Sequence, residues 1–154
     1  MSTSKVLEEA NSIAEKIAIF NQEDENPYHQ IKQKISEKNI KHIVTVARGT
    51  SDCAALYASY LFAKTLGLTT YSLPPSIITL ENSHFDFSNT LVVVISQSGL
   101  SEDLVKCEQA SRKMGAETLI LTNNLNSPMI NHANYFFNIK SYNCIIKFYF
   151  YSIK

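Results

Sequence analysis

Apolar positions along the chain follow a helical period first and then alternate between short runs and helical stretches. Steps of three or four residues separate the apolar positions of a predicted N-terminal helix, which are Val6, Ala10, Ile13, Ile17 and Phe20. A second amphipathic helix is predicted from Asn26-Pro27, a cap followed by a first-turn proline, to about Lys38. These two helices precede the first apolar run that is short enough to be a strand.

Five short runs rich in apolar and β-branched residues predict strands. The clearest, Leu91–Ile95, is apolar without alternation, as expected for a central parallel strand covered on both faces. The other four predicted strands are His42–Ala47, Thr69–Leu73, Glu117–Leu121 and Tyr135–Ile139. Because helices are predicted between them, we expect an α/β fold, a three-layer α/β/α sandwich around a five-stranded parallel sheet.

Two helices are predicted between the strands, and they have distinct patterns. The helix from Asp52 to Leu66 is apolar on most sides, which predicts a largely buried helix with Gly67 as its C-cap. The helix from Ser101 to Met114 carries acidic residues in its first turn. We also expect Cys53 and Cys107 to be packing residues on these helices.

Hydroxyl-rich loops follow the first and third predicted strands. The first loop is Arg48-Gly49-Thr50-Ser51, and the second is Ser96-Gln97-Ser98-Gly99-Leu100-Ser101. With the strand order 2-1-3-4-5, these strands are neighbours, and both loops lie at the edge where open parallel sheets bind ligands. Hydroxyls and free N–H groups at helix N-termini favour an anion, so the pattern indicates a phosphate on a small molecule. Alternatively, the serines are only helix caps.

Charge and composition exclude several other classes of protein. Lys+Arg and Asp+Glu number 14 each among 154 residues, so the chain lacks the basic excess typical of nucleic-acid binding. It also lacks a run apolar enough to cross a membrane and the apolar stretch of a signal peptide. Three widely spaced cysteines predict reduced thiols and no metal site. We therefore expect a cytoplasmic protein with no cofactor.

The residues around both loops resemble those of the sugar isomerase (SIS) domain. The similar segments are Val46–Asp52 and Ile95–Leu104, with further support from Ile120–Asn123 and from Ser127-Pro128. Among SIS proteins, they are most similar to the isomerase half of glucosamine-6-phosphate synthase and to stand-alone glucosamine-6-phosphate deaminase/isomerases. The resemblance implies a hexose phosphate ligand and a homodimer. Its implied ligand-binding residues are Gly49, Thr50, Ser51, Ser96, Gln97, Ser98 and Ser101.

Departures from the family pattern affect the expected chemistry. The family's base glutamate, ring-opening histidine and lysine match no residue here, so no catalytic residue is assigned. Leu100 stands where the synthases commonly have glutamate, which favours the stand-alone branch. Residues 1–140 are expected to form one SIS domain that includes the N-terminal helices, about residues 1–38. The aromatic tail at 141–154 departs from the family and is interpreted as the product of a truncation or frameshift.

Three hypotheses about function remain open from the sequence. The first is a sugar-phosphate-binding module that forms the N-terminal half of an amino-sugar-phosphate isomerase or deaminase. The second is a sensor that binds a sugar phosphate without chemistry. The third is an isomerase fragment of a protein like glutamine–fructose-6-phosphate aminotransferase, or a truncated remnant that folds and dimerises without a physiological ligand.

Overall fold

Nine elements make up residues 26–139, the part of the chain that a computed structural model describes. In chain order they are α1 (Asn26–Glu37), β1 (His42–Ala47), α2 (Thr50–Leu66), β2 (Thr69–Ser72), α3 (Pro75–Thr79), β3 (Thr90–Ile95), α4 (Glu102–Lys113), β4 (Glu117–Thr122) and β5 (Tyr135–Asn138). The predicted helix around Val6–Phe20 and the tail at 141–154 lie outside the described residues.

The strands form one parallel sheet in the order β2-β1-β3-β4-β5. The chain moves outward from β1 to β2, returns to β3 beside β1, and then moves outward in the opposite direction to β4 and β5. This confirms the predicted fold class and strand order. Winding therefore reverses between β1 and β3, and their carboxyl ends flank a crevice.

Two apolar cores cover the two faces of the sheet, because successive strand residues point to opposite sides. On one face, Val93 and Ile95 pack with Phe62 of α2, and Ile31 of α1 joins this cluster. On the other face, Val92 and Val94 of β3 pack with residues of two helices. These are Ile78 of α3 and Leu104 and Cys107 of α4. Helices thus cover both faces, as the sandwich architecture requires.

The outward face of α2 differs from the prediction of a largely buried helix. Its inward face buries Ala55 and Phe62, but Leu56 is 68% exposed and Tyr60 is 63% exposed. The helix does end as predicted, with Gly67 as a left-handed C-cap. Apolar composition predicted burial here, but the described residues leave one apolar side of the helix uncovered.

The two cysteines on the helices have different environments. Cys107 is fully buried and its thiol donates to the Pro75 carbonyl at 3.4 Å, so its predicted packing role is confirmed. Burial raises the pKa of this thiol to about 11, which keeps it protonated at neutral pH. Cys53 is exposed on α2, so the prediction that it packs in the interior is wrong.

A buried polar cluster lies near the amino ends of the strands, away from the two loops. Glu108 of α4 is fully buried, and its Oε1 accepts from Thr118 Oγ1 at 3.3 Å and faces Arg112 Nε at 3.5 Å. Within the described range, Glu108 Oε2 and Ser111 Oγ are buried without a hydrogen-bond partner. Burial therefore raises the pKa of the Glu108 carboxyl, while Arg112, Thr118 and His132 oppose the rise.

Glutamine in place of Glu108 is expected to reduce the loss of stability that wild type undergoes as pH rises. A carboxyl whose pKa is raised in the folded state stabilises the fold below its ordinary pKa of 4.5, and that contribution disappears as pH rises through the raised value. Between pH 5 and pH 8, the free energy of unfolding of the Glu108→Gln variant should therefore fall less than that of wild type. Urea denaturation at pH 5 and pH 8 measures this, with the exposed Glu81→Gln as a control. If the difference in free energy of unfolding between variant and wild type is the same at both pH values, the expectation is contradicted.

Candidate functional site

The first and second loops begin side by side at the carboxyl edge of the sheet. Ala47, the last residue of β1, pairs in register with Ile95, the last residue of β3. The next residues along each strand lead into α2 and α4, whose N-termini therefore start at the same edge. The two loops therefore leave the sheet side by side at the point where the winding reverses, which is where open parallel sheets bind ligands.

Backbone conformation makes the first loop turn sharply into α2. Gly49 has φ 57° and ψ −133°, a combination that essentially only glycine adopts without strain. The helix begins immediately afterwards, so Thr50 and Ser51 lie in the first turn of α2, two residues earlier than predicted. Gly49, Thr50 and Ser51 therefore lie together at one helix N-terminus beside β3.

Internal hydrogen bonds shape the second loop. The Gly99 N–H donates to Ser96 Oγ at 3.1 Å, and the Leu100 N–H donates to Ser98 Oγ at 3.3 Å. Ser96 is only 3% exposed, so it lies at the base of the loop, whereas Ser98 is exposed. The loop presents one buried and one accessible hydroxyl near the start of α4, and Gln97 lies between them in the chain.

Ser101 is the N-cap residue of α4, but its side chain makes no capping hydrogen bond. The interpretation of the serines as caps alone therefore receives no support at this position. Ser101 is partly exposed, and it directly precedes a helix whose first turn carries Glu102 and Asp103. Such an N-terminus offers unpaired backbone N–H groups and the positive end of a helix dipole to an anion.

An ion pair connects the first loop to α4, the helix that follows the second loop. Arg48 Nη1 of the first loop contacts Asp103 Oδ2 in the first turn of α4 at 2.8 Å. The Arg48 guanidinium is thus bound to a carboxylate. The pair holds a guanidinium at the N-terminus of α4. Lys106, one turn later, pairs with Glu102 at 2.6 Å.

A third loop, residues 122–127, packs against the second loop. Asn124 Nδ2 donates to the Ser98 carbonyl at 2.9 Å, and Ser127 Oγ donates to the Gly99 carbonyl at 2.7 Å. Ser127 is 1% exposed, so the latter bond is shielded from water. Reasoning from the residues assigned no role to this loop. Its one signal was the similarity of Ile120–Asn123 and Ser127-Pro128 to the SIS pattern.

Further bonds from the end of β4 complete the contact between these loops. The Gln97 carbonyl accepts from Thr122 Oγ1 at 3.3 Å and from the Asn123 N–H at 3.2 Å. Gly99 has φ +64°, and an added Cβ would lie 2.6 Å from Ser127 Cβ. The second loop is therefore fixed from behind, and its approach to the third loop requires glycine at this position.

This arrangement defines a class of protein: a parallel α/β domain with two hydroxyl-rich loops side by side at its topological switch point. Comparison with family models identifies the family, because residues 35–148 match the model of the SIS domain. The chain therefore belongs to the SIS domain family.

Curated relatives with similar sequences are glutamine–fructose-6-phosphate aminotransferases (isomerizing). The protein from Shewanella oneidensis is 30% identical over 105 residues, which cover 68% of this chain and 17% of that protein. The protein from Fusobacterium nucleatum is 28% identical over 132 residues, covering 84% of this chain and 22% of that protein. The chain thus corresponds to about a fifth of the length of these relatives.

Solved structures with the same fold include two of similar sequence. A provisionally assigned phosphosugar isomerase from Silicibacter pomeroyi superposes with a TM-score of 0.78 at 27% identity, over 86% of this chain and 40% of that one. The C-terminal domain of glucosamine-fructose-6-phosphate aminotransferase from Francisella tularensis gives 0.64 at 28% identity, over 71% and 31%. This chain is thus similar in sequence and fold to a provisionally assigned phosphosugar isomerase and to the C-terminal domain of an aminotransferase.

Residues 26–139 lack the features of two other kinds of site. Within that range, no helix is both long and apolar enough to span a bilayer. The same residues contain no group of three or more His, Cys, Asp and Glu side chains arranged to hold a metal ion.

Proposed function

We propose that the crevice between the first and second loops binds the phosphate of a hexose phosphate. The observation that carries this proposal is the juxtaposition of two helix N-termini with the serine hydroxyls of the second loop. Backbone N–H groups and hydroxyls satisfy phosphate oxygens without requiring a net basic protein. The aminotransferase and isomerase names of the relatives support a phosphorylated sugar as the ligand class.

Each predicted residue has a place in this proposal. Ser98 and Ser101 donate hydroxyl protons from the accessible part of the second loop, and Gln97 contacts phosphate or sugar. Ser96 acts from the base of that loop. The residues of the first loop that line the opposite side of the crevice are Gly49, Thr50 and Ser51. Arg48 is held at the N-terminus of α4 by its ion pair with Asp103, where its remaining N–H groups can donate to a phosphate oxygen.

The finer role that we propose is the N-terminal half of an amino-sugar-phosphate isomerase or deaminase acting on glucosamine 6-phosphate or fructose 6-phosphate. Moving a proton between neighbouring sugar carbons needs a base, and we assign that role to no residue of this chain. The phosphate-binding half would position the substrate, with catalytic groups supplied from elsewhere in the assembled enzyme.

Two alternatives share the same binding site. A sensor would bind the sugar phosphate without converting it, and an isomerase fragment of an aminotransferase-like protein would bind fructose 6-phosphate. Conversion of glucosamine 6-phosphate to fructose 6-phosphate and ammonia by the assembled chain would support the deaminase and contradict the sensor.

We also propose that the chain forms a homodimer. The exposed residues Leu56, Tyr57 and Tyr60 project from one side of α2. A contiguous apolar surface of this kind is commonly covered by a partner, and a second copy offers the same surface for a symmetric contact.

Alanine in place of Ser98 tests the binding site directly. A hydroxyl bond to a charged phosphate contributes about 1.5–3 kcal/mol, so the Ser98→Ala variant should bind fructose 6-phosphate about tenfold or more weakly. Titration calorimetry of the full chain measures this effect. The matched control is Ser88→Ala, because Ser88 is exposed and its neighbour Asn89 accepts from Lys41 at the opposite edge of the sheet. Equal affinities of the Ser98 variant and wild type would refute the assignment.

A further inference from the structure

Three consecutive peptide carbonyls of the second loop face the third loop. These carbonyls, at Gln97, Ser98 and Gly99, each accept at least one hydrogen bond from residues 122–127. The described peptides contain no cis bond. In a trans peptide the carbonyl and the following N–H point in opposite directions. The next three N–H groups therefore point away from the third loop.

Two of these N–H groups donate to the serines of the proposed binding site. The Gly99 N–H reaches Ser96 Oγ at 3.1 Å, and the Leu100 N–H reaches Ser98 Oγ at 3.3 Å. A hydroxyl oxygen that accepts such a bond still carries its own proton. The hydroxyl is thereby oriented as a donor, which is the role that a phosphate oxygen requires. The direction of the loop's carbonyls therefore determines that the two serine hydroxyls act as donors towards a ligand.

We infer that Asn124 and Ser127 are positioning residues. By bonding carbonyls of the second loop, they orient its N–H groups and serine hydroxyls as donors to the proposed phosphate. They contact the backbone of the second loop through the Ser98 and Gly99 carbonyls. This inference rests on the proposed function, because it concerns how that same site favours an anion.

Loss of either bond has a direct electrostatic consequence. A carbonyl without its partner in the third loop is free to rotate, and rotation turns the carbonyl oxygen towards the crevice. Rotation also withdraws the N–H that orients the serine hydroxyl. An oxygen lone pair beside a phosphate repels it, so each lost bond weakens anion binding through the backbone.

The experiment uses the full chain and titrates fructose 6-phosphate and inorganic phosphate into two variants. Asn124→Ala removes the donor to the Ser98 carbonyl at a partly exposed position, and is expected to weaken fructose 6-phosphate binding about threefold to tenfold. Ser127→Ala removes the shielded bond to the Gly99 carbonyl, and about a tenfold loss is expected. Affinities are corrected for the folded fraction, and Asn124→Ala decides the outcome if Ser127→Ala does not fold.

Two matched controls separate positioning from general stability. Ser59→Ala removes a buried hydroxyl that donates to the Ala55 carbonyl at 2.9 Å within α2. Asn126→Ala changes an exposed asparagine of the third loop, whose backbone N–H donates to Asn124 Oδ1. Both controls should bind fructose 6-phosphate within about twofold of wild type, well inside a tenfold step of affinity.

Amide NMR provides a readout that a purely structural role would not change. In wild type, inorganic phosphate should shift the Gly99 and Leu100 amide resonances, and these shifts should be lost first in the two positioning variants. Wild-type affinity in Asn124→Ala and in a folded Ser127→Ala would overturn the inference alone, as would an equal loss in the controls. Failure of wild type to bind both probes would overturn the proposed function and this inference together.

Discussion

Alanine at position 99 is expected to lower the free energy of unfolding by about 2–4 kcal/mol and to weaken fructose 6-phosphate binding about 100-fold or more. Gly99 has φ +64°, where a side chain adds backbone strain, and the new Cβ would lie 2.6 Å from Ser127 Cβ and 2.7 Å from Thr122 Oγ1. Both neighbours belong to short polar side chains that bond the second loop, so relieving the overlap separates the second loop from the third. Urea denaturation and titration calorimetry measure the two effects.

Gly67→Ala is the matched control for this substitution. Gly67 has almost the same φ, +66°, but no heavy atom lies within 4 Å of its would-be Cβ. The variant therefore carries the backbone strain without the overlap, and should lose only about 1–2 kcal/mol of stability with unchanged affinity. Equal losses of stability in the two variants would show that the contact with Ser127 is unimportant.

The strands were predictable because each one is a short run bounded by a change of period. The predicted His42–Ala47 coincides with β1, and Leu91–Ile95 differs from β3 by one residue. Burial explains this success, since β3 is buried along its whole length and has no polar face to confuse with a helix. The strand order 2-1-3-4-5 was assumed as a common order of doubly wound sheets, and the structure has that order.

Two features of the fold were not predictable from local pattern. The short helix α3 begins at Pro75, directly after Pro74, and no helix was predicted between the strands Thr69–Leu73 and Leu91–Ile95. A proline at the first helical position is as compatible with starting a helix as with ending a strand. The apolar sequence of α2 likewise predicted burial, although burial depends on which neighbours reach each face.

The candidate site divides in the same way between local and distant information. Both serine loops follow strands along the chain, so their placement came from sequence order and topology. The third loop acts on the second through side chains such as Ser127, 28 residues from the Gly99 carbonyl that it contacts. Spacing along the chain gives no signal for a contact between residues so far apart in sequence. The same holds for the ion pair between Arg48 and Asp103.

Truncating the buried face of α2 is expected to produce the second large loss of stability. Phe62 is 2% exposed and lies in the core cluster between α2 and the sheet, so Phe62→Ala should cost about 3–5 kcal/mol in free energy of unfolding. That loss is large relative to the total stability of a typical domain. Chemical denaturation followed by circular dichroism measures it, and Phe62→Leu, which leaves a smaller cavity, should lose less.

Tyr60→Ala on the opposite face of the same helix tests the proposed dimer along with the core. Tyr60 is 63% exposed, so in an isolated chain its removal should change the free energy of unfolding by no more than about 0.5 kcal/mol. If two copies cover this face, the same substitution should weaken self-association, and the stability of wild type alone should rise with protein concentration. Sedimentation velocity at micromolar concentration compares the two proteins. A monomeric wild type would refute the dimer. If Tyr60→Ala in monomeric protein lost as much free energy of unfolding as Phe62→Ala, the assignment of a buried and an exposed face to α2 would be wrong.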